Sequence, residues 1–117
     1  MVSEPDRVRL RHMLDATRQA VNFAEGRRRE DLDDEDDPLV HALVRQIEII
    51  GEAASRVGSE TRAGLPDVPW PDVVGIRNRL IHAYFDVNLD ILWATIQRSL
   101  PALIRSLEPG LPESPES

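Results

Sequence analysis

The stretch that decides the fold is "DPLVHALVRQIEIIGEAASRVG", residues 37–58. Its apolar residues recur at steps of three and four, which is the repeat of a helix that buries one face. Aspartate before proline is a typical helix start, and the glycine at position 58 is a typical stop. The sequence therefore predicts a helix here, with an apolar face made of Val40, Leu43, Val44, Ile47, Ile50 and Ala54.

The segment before this one predicts another helix, from about Glu4 to Ala24. Ser3, with Asp6 three residues on, forms a typical N-cap pair. The apolar residues again return at helical spacing, so this helix is expected to pack against the first one described. Its stripe consists of Leu10, Met13, Leu14, Val21 and Ala24.

Two more helices are predicted towards the C-terminus. One begins near Pro71, after a connector (residues 59–71) whose prolines allow at most one short helical turn. The other runs from its cap Asn88 to about Leu107, and Pro101 inside it predicts a kink. No run of residues alternates as a strand does. The predicted fold class is all-α, an up-and-down bundle of four main helices with an extra short helix allowed.

Length and composition limit the classes of protein. The 117 residues suit one domain, which we assign to residues 1–108, and the polar tail at 109–117 is expected to be disordered. The absence of cysteine excludes disulfides and thiolate metal sites. The N-terminus lacks the apolar core of a secretory signal, and no apolar run approaches the ~18 residues of a membrane span. We therefore expect a cytoplasmic protein that does not enter a membrane.

The charge of the chain is unevenly placed. The formal net charge is −7, which argues against non-specific binding to nucleic acid. The run "EDLDDEDD" at residues 30–37 holds seven of the acids, and the rest of the chain sums to zero. Because like charges repel, this run is expected to be a solvated loop. All 14 basic residues are arginine, the better side chain for bidentate contacts with phosphate.

The third predicted helix carries the residues with the most chemistry, "RNRLIHAY" at 77–84. On a continuous helix Arg77 and Tyr84 share a face, and Asn78, four residues before His82, can set the imidazole tautomer. Arg77 and His82 are five apart, about 140° around the axis. They share no face unless the helix ends between them. A second copy of the helix across a two-fold axis can complete the site, which predicts a homodimer.

Arginine and histidine together suit one reaction. Histidine can move a proton near neutral pH, and arginine can stabilise charge on a phosphate. This pair fits attack of an RNA 2′-hydroxyl on the adjacent phosphate, which requires no metal. The alternative is an ordinary polar helix face, because the same spacing recurs at Arg7 and His12, where Leu14 stands in place of the tyrosine. Spacing alone leaves both interpretations open.

Beyond this spacing, the sequence resembles HepT-type toxins of the HEPN superfamily. The family hallmark is arginine, four residues, histidine, one residue and tyrosine, matched here by Arg77, His82 and Tyr84. The stretches "RLRHMLDATRQAV", "LVRQIEIIGEAASRV" and "VPWPDVVGIRNRLIHAYFDVNLDILWATIQRSLPAL" are similar to the family in the same order. The resemblance covers roughly residues 7–107.

The resemblance implies a function and a set of site residues. It implies the homodimeric toxin of a type VII (HepT/MntA) toxin–antitoxin system, a metal-independent endoribonuclease that cuts RNA and needs no cofactor. By the family match, Arg77 and His82 are catalytic and Asn78 supports them. The implied partner is an MntA-like nucleotidyltransferase antitoxin, which silences the toxin by transferring AMP from ATP to Tyr84.

Some alternatives stay open at this point. The chain can be a non-catalytic HEPN helical dimer that only binds a nucleotidyltransferase or RNA. The acidic run can repel RNA from the wrong face or dock on a basic patch of the antitoxin. For the dimer, Ile81 and Phe85 are candidates for the interface, because they are apolar residues left over from the core stripes.

Overall fold

The computed structural model describes residues 2–83 and 86–111, and at positions 82 and 83 it describes the backbone alone. This part of the chain is predominantly helical, which confirms the all-α class. None of its helices is long and apolar enough to cross a membrane. The helices are α1 (Glu4–Ala24), α2 (Leu39–Ser55), α3 (Ser59–Gly64), α4 (Trp70–Val74), α5 (Ile76–Leu80), α6 (Leu89–Ala94) and α7 (Leu100–Leu107), and the strands are β1 (Ile81–Ala83) and β2 (Asp86–Val87).

The centre of the fold is the pair of long helices α1 and α2. Helix α1 has the predicted bounds, and the Ser3 hydroxyl accepts a hydrogen bond from the Asp6 amide at 3.3 Å. Arg9 near the start of α1 donates to the Arg56 carbonyl at the end of α2, so the two helices are antiparallel. Each buried aliphatic side chain contributes roughly 1.5–3 kcal/mol. The largest of them here are Leu10, Met13, Leu14, Leu43, Ile47 and Ile50.

The ends of α2 differ slightly from the prediction. The helix begins at Leu39, whose amide donates to the Asp37 carboxylate at 2.9 Å. It ends at Ser55, three residues before the glycine that was predicted to stop it. The Gly58 amide instead donates to the two carboxylate oxygens of Asp6, at 3.2 and 3.3 Å. This contact ties the end of α2 to the first turn of α1.

The predicted fourth helix is interrupted in its middle. A π-helical turn, Thr95–Ser99, joins α6 to α7, and in it the Leu100 amide bonds to the carbonyl five residues back. Pro101 follows directly and has no N–H to donate, so the helical ladder is disrupted next to the predicted kink. Asn88 caps α6 as predicted, accepting from an amide of the first turn at 3.0 Å. The apolar stripe stays in the core, through Leu92, Ile96, Leu100, Leu103 and Leu107.

The prediction of one continuous third helix is wrong. Gly75 separates two five-residue helices, α4 and α5, and α5 ends at Leu80. A short antiparallel strand pair follows, in which Ile81 is opposite Val87. The Asn88 amide donates to the Leu80 carbonyl at 2.8 Å, so this carbonyl finds its partner outside the helix. Residues 84–85 come between the two strands in the sequence and lie outside the described part.

The acidic run is more ordered than predicted. Residues Arg29–Asp33 form a 3-10 turn that buries Leu32 in the core. Arg27 pairs with two carboxylates of the run, and Arg29 pairs with Asp90 of α6 at 2.8 Å. The expectation of a solvated loop is therefore wrong for this turn, because arginines neutralise its acids and an apolar side chain anchors it. The three acids that follow the turn are exposed, as predicted.

The packed structure continues past the predicted boundary at residue 108. Glu108–Gly110 form a 3-10 turn, and Leu111 is buried. Gly110 approaches Leu65 so closely that a Cβ at this position would lie 2.8 Å from its side chain. Residues 109–111 of the predicted tail thus pack against the domain, and residues 112–117 lie outside the described part, so the tail assignment stays a prediction there.

Candidate functional site

A groove of about 900 Å³ runs between α1, α2 and the segment that carries the motif. The α1 side chains that line it recur at steps of three and four, as do those of α2, so each helix presents one face. Arg77 and Asn78 contribute from α5, and His12 contributes from α1. The charged side chains of the lining are Arg9, Arg45, Glu48, Glu52, Arg56 and Arg77.

Helix α5 directs Arg77 and Asn78 into this groove. Ile76 and Leu80, at its two ends, are 3 % and 1 % exposed, so they fix the helix against the core. The three residues between them are exposed, and Arg79 is the one of the three that does not line the groove. Positions two apart on a helix point about 200° away from each other, so the two arginines of α5 face in different directions, one into the groove and one not.

Glu48 of α2 holds the Arg77 guanidinium in place. Arg77 Nε donates to Glu48 Oε2 at 3.1 Å, and the two side chains are 52 % and 39 % exposed. The contact uses one of the five N–H donors of the guanidinium, so four remain for an anion such as a phosphate. Sequence reasoning missed Glu48. The available signal was an acid inside the apolar stretch "IEIIG" of α2.

Gly51 allows the motif segment to come this close to α2. A Cβ at Gly51 would lie 3.5 Å from Ile76 Cγ2 and 3.7 Å from the Val73 carbonyl oxygen, which is already van der Waals contact. A larger side chain would push α4 and α5 away from α2. The guanidinium of Arg77 would then move out of reach of Glu48.

The structure places His82 in a different element from Arg77. The His82 backbone belongs to β1, two residues beyond the end of α5 at Leu80, while its side chain and the whole of Tyr84 lie outside the described part. The helical spacing that was predicted to pair Asn78 with His82, and to align Arg77 with Tyr84, is absent because the helix ends first. Of the predicted site residues, the groove brings together Arg77 and Asn78.

The other arginines of the groove differ in their partners. Arg9 lies 3.4 Å from the Asp6 carboxylate, and Arg56 lies 2.9 Å from Glu52. Arg45 has no carboxylate within 4.0 Å among the residues that the structure describes. With four arginines and two glutamates, the lining has a formal charge of +2 on a chain of −7.

Asp6 anchors one end of the groove. Its carboxylate is 7 % exposed and accepts a hydrogen bond from the Thr61 hydroxyl at 2.6 Å. This bond lowers the pKa of Asp6 below its ordinary 3.8, helped by the Gly58 amide and Arg9 and opposed by burial. Asp6 is therefore ionised at neutral pH, and it holds Arg9 at the groove while joining α1 to the start of α3.

These features define a class of protein: a small helical domain with an arginine-lined groove beside an arginine–histidine motif. Within the described ranges, no group of three histidine, aspartate or glutamate residues is arranged to hold a metal ion. The chain belongs to the HepT-like family, described as "Ribonuclease HepT-like", whose sequence model matches residues 13–109.

Curated relatives agree with this family. An RNase, provisionally so named, of Caldanaerobacter subterraneus is 42 % identical over 73 residues, which are 62 % of this chain and 65 % of the relative. Another of Methanocaldococcus jannaschii is 38 % identical over 68 residues, 58 % of this chain and 62 % of the relative. A ribonuclease HepT of Thermococcus cleftensis, also named provisionally, is 39 % identical over 62 residues, 53 % of this chain and 56 % of the relative.

The matched part is thus 56 to 65 % of the length of these three relatives. No solved structure matches the chain.

Proposed function

We propose that this protein is a metal-independent endoribonuclease, acting in the cytoplasm as the toxin of a HepT/MntA-type toxin–antitoxin system. Membership of the HepT-like family and the ribonuclease names of its relatives support an RNase. One structural observation carries the proposal. Helix α5 ends at Leu80, between Arg77 and His82, which is the condition under which one chain can bring these two side chains to the same phosphate.

The proposed reaction needs only the groups of the motif. His82 removes the proton of an RNA 2′-hydroxyl, whose oxygen attacks the adjacent phosphorus. The bond from phosphorus to the 5′ oxygen breaks, and His82 returns the proton to that oxygen. Arg77 uses its remaining N–H donors to hold the non-bridging phosphate oxygens, whose charge grows in the transition state. The products are a 2′,3′-cyclic phosphate and a 5′-hydroxyl.

RNA cleavage in EDTA tests this proposal. Arg77→Ala should lower the rate about 10²–10³-fold and His82→Ala about 10²–10⁴-fold, as is usual for loss of such groups. Arg79→Ala is the matched control, since Arg79 is exposed on the same helix but does not line the groove. Thermal unfolding should be unchanged in all three variants.

Two outcomes would contradict the ribonuclease proposal. Products with 3′-hydroxyls and a requirement for magnesium would exclude the 2′-hydroxyl mechanism. RNA binding by the wild-type protein with no cleavage would favour the alternative of a non-catalytic binding module.

The proposal includes a homodimer with the motif segments near its two-fold axis. Ile81, which packs only partly against the core, and Phe85 are the candidate contacts. Sedimentation velocity at micromolar concentration should show a dimer, and Ile81→Asp should shift it towards monomer. A wild-type monomer that cleaves RNA at full rate would exclude this arrangement.

The proposal also includes silencing by an MntA-like nucleotidyltransferase. The Tyr84 oxygen would attack the α-phosphorus of ATP, form a bond to AMP and release pyrophosphate, while the phenolic proton goes to solvent. The attached AMP places a phosphate where Arg77 can bind it, so it competes with RNA. Tyr84→Phe should gain no AMP mass on incubation with ATP and the antitoxin, as read by intact-mass spectrometry. A gain of AMP mass by that variant would exclude Tyr84 as the acceptor.

A further inference from the structure

The groove continues beyond the motif along the two long helices. A second, smaller depression is lined by Asp15, Gln19 and Gln46, and it shares His12 and Ile49 with the main groove. One continuous channel therefore follows α1 and α2. From Pro5 to Gln19 it spans ~21 Å at the helical rise of about 1.5 Å per residue, which is long enough for several nucleotides of a single strand.

Arg77 lines the main groove of this channel. Its partner Glu48 lies one helical turn after Arg45 and one turn before Glu52, on the same face of α2. A phosphate held by Arg77 would thus have protein surface on both sides of it. Arg45 and His12 line the same groove as Arg77, so a strand that extends from this phosphate along the groove has both side chains on its path.

Charge favours a polyanion in this channel. Two of the four arginines of the main groove, Arg56 and Arg77, pair with the two glutamates of the lining, and Arg9 pairs with Asp6 below it. Arg45 keeps its charge without a carboxylate within 4.0 Å in the described part of the chain. Asp15 of the smaller depression lowers the formal charge of the whole lining from +2 to +1, while Arg45 lies in the main groove. A positive groove on an acidic protein concentrates anions there and repels them elsewhere.

Two apolar side chains of the groove suit the other half of a nucleotide, its base. Val8 is 46 % exposed, an unusual position for a large apolar side chain in this fold, and Ile49 is half-buried beside it. Both line the main groove between its charged side chains. A groove lined by both apolar and positively charged side chains can cover bases and hold phosphates at the same time.

We infer that the α1–α2 channel binds the RNA strand that flanks the scissile phosphate, with Arg45 contacting a phosphate and His12 lining its path. This rests on the proposed ribonuclease function and extends its binding site to two helices that are separate in sequence from the motif. The motif-like spacing of Arg7 and His12 has no part in this role. His12 contributes because α1 turns it towards the groove.

Binding of a 2′-O-methyl single-stranded RNA, which has no 2′-hydroxyl to attack, tests the inference separately from cleavage. The measurement is fluorescence anisotropy of the full chain across a range of salt. Loss of one phosphate contact to a single strand lowers the slope of log affinity against log salt by about 0.7, or about fivefold in affinity at 0.1 M salt relative to 1 M. Arg45→Gln should show that loss, and His12→Gln a smaller one of about twofold.

Arg11→Gln is the matched control, because Arg11 is exposed on α1 but does not line the channel. Equal affinities and slopes for Arg45→Gln and Arg11→Gln would overturn the inference, even if Arg77 still proves catalytic. Weaker self-association of Arg45→Gln in sedimentation, with unchanged RNA affinity, would overturn it in favour of a channel covered by a second copy. If the wild-type protein binds the RNA and Arg45→Gln binds it less tightly, but neither protein cleaves native RNA, then the ribonuclease proposal is wrong and the RNA-binding channel is supported.

Discussion

The α1–α2 pair and the motif segment are both helical in the sequence pattern, yet only the pair folds as the pattern predicts. Helix α1 keeps its predicted bounds, and the apolar face of α2 is in the core. The segment from Trp70 to Val87 is instead divided into two short helices and a strand pair. A long helix repeats its signal over more than four turns, whereas a short one is decided by a few contacts with distant residues.

The difference matters for function because the site combines both regions. The stable pair supplies Glu48, Arg45 and His12 on fixed helical faces. The broken segment supplies Arg77 and then turns away before His82. A continuous helix would have separated these two motif residues by about 140°. The loss of regular structure is thus what makes the proposed site possible within one chain.

The largest stability effect should come from the core of the pair. Ile47 is fully buried between α1 and α2, so Ile47→Ala should lower the free energy of unfolding by about 2–5 kcal/mol. Ile81→Ala in the strand pair should cost less, about 1 kcal/mol, because Ile81 is only partly buried. Urea unfolding followed by circular dichroism measures both. Equal losses would mean that the motif segment is as much a part of the core as the pair.

Asp6 should give the next largest effect, since it joins the pair to α3. Asp6→Asn presents a donor to the Gly58 amide and should cost about 1–3 kcal/mol, the usual penalty of an unsatisfied buried group. The contribution of Asp6 to the free energy of unfolding depends on pH. The pKa of Asp6 is lowered by folding, so its contribution is present above the ordinary 3.8 and is lost as pH falls through the folded value.

The stability difference between wild type and Asp6→Asn should therefore shrink as the pH is lowered below 3.8. Denaturant titrations at a series of acid pH values measure it. Ser3→Ala is a control in the same helix turn, because it removes a cap without removing an ionisable group. A difference that stays constant down to the acid limit would show that ionised Asp6 contributes nothing.

The helix caps Ser3 and Asn88 allow a direct comparison of the α1–α2 pair with the motif segment. Ser3→Ala and Asn88→Ala each remove a side-chain acceptor at a helix start and should each cost about 1 kcal/mol. Asn88 also donates its backbone N–H to the Leu80 carbonyl beside the strand pair. Alanine keeps this bond, so Asn88→Ala acts on the strand pair only through loss of the side-chain cap that holds residue 88 in place. We expect Asn88→Ala to lower RNA cleavage severalfold and Ser3→Ala to leave it unchanged at a temperature where both are folded. Equal cleavage rates in the two variants would show that the strand pair does not help to form the site.

These comparisons show where sequence reasoning succeeds and where it stops. Periodicity and caps gave α1, the buried face of α2 and the Asn88 cap, because each depends on residues within a few positions of one another. The strand pair depends on a bond between Leu80 and Asn88 and on a two-residue ladder too short to show alternation. The order of the acidic run depends on Arg29 meeting Asp90, 61 residues away.

The residues of the candidate site also fall into those that the sequence could identify and those that it could not. Arg77 and Asn78 could be chosen from the motif, and the structure places both in one groove. Glu48 and Arg45 could not, because their relevance depends on how closely α2 and α5 approach. That approach is set by Gly51, whose role is visible only when its neighbours across the interface are known.

The smallest expected effect is the sharpest test of how the regions cooperate, and it concerns Glu48. Its ion pair with Arg77 is partly exposed, so Glu48→Gln should change stability by less than about 1 kcal/mol. The amide oxygen of glutamine can still accept from Arg77 Nε, so the guanidinium stays in position. The lost negative charge, taken as ~7 Å from the bound phosphate in water, is worth about 0.6 kcal/mol, so KM should fall about threefold at low salt.

Glu48→Ala removes the acceptor as well as the charge. Arg77 then loses the contact that fixes it, and kcat should fall about tenfold while KM stays near that of Glu48→Gln. A role for Glu48 in the fold alone predicts the reverse pattern, in which both variants lose stability and cleave with wild-type KM and kcat. Steady-state cleavage of a short RNA at two salt concentrations distinguishes the two roles. Because salt screens charge, the gain in KM should disappear at the higher concentration, while the loss in kcat of Glu48→Ala should remain.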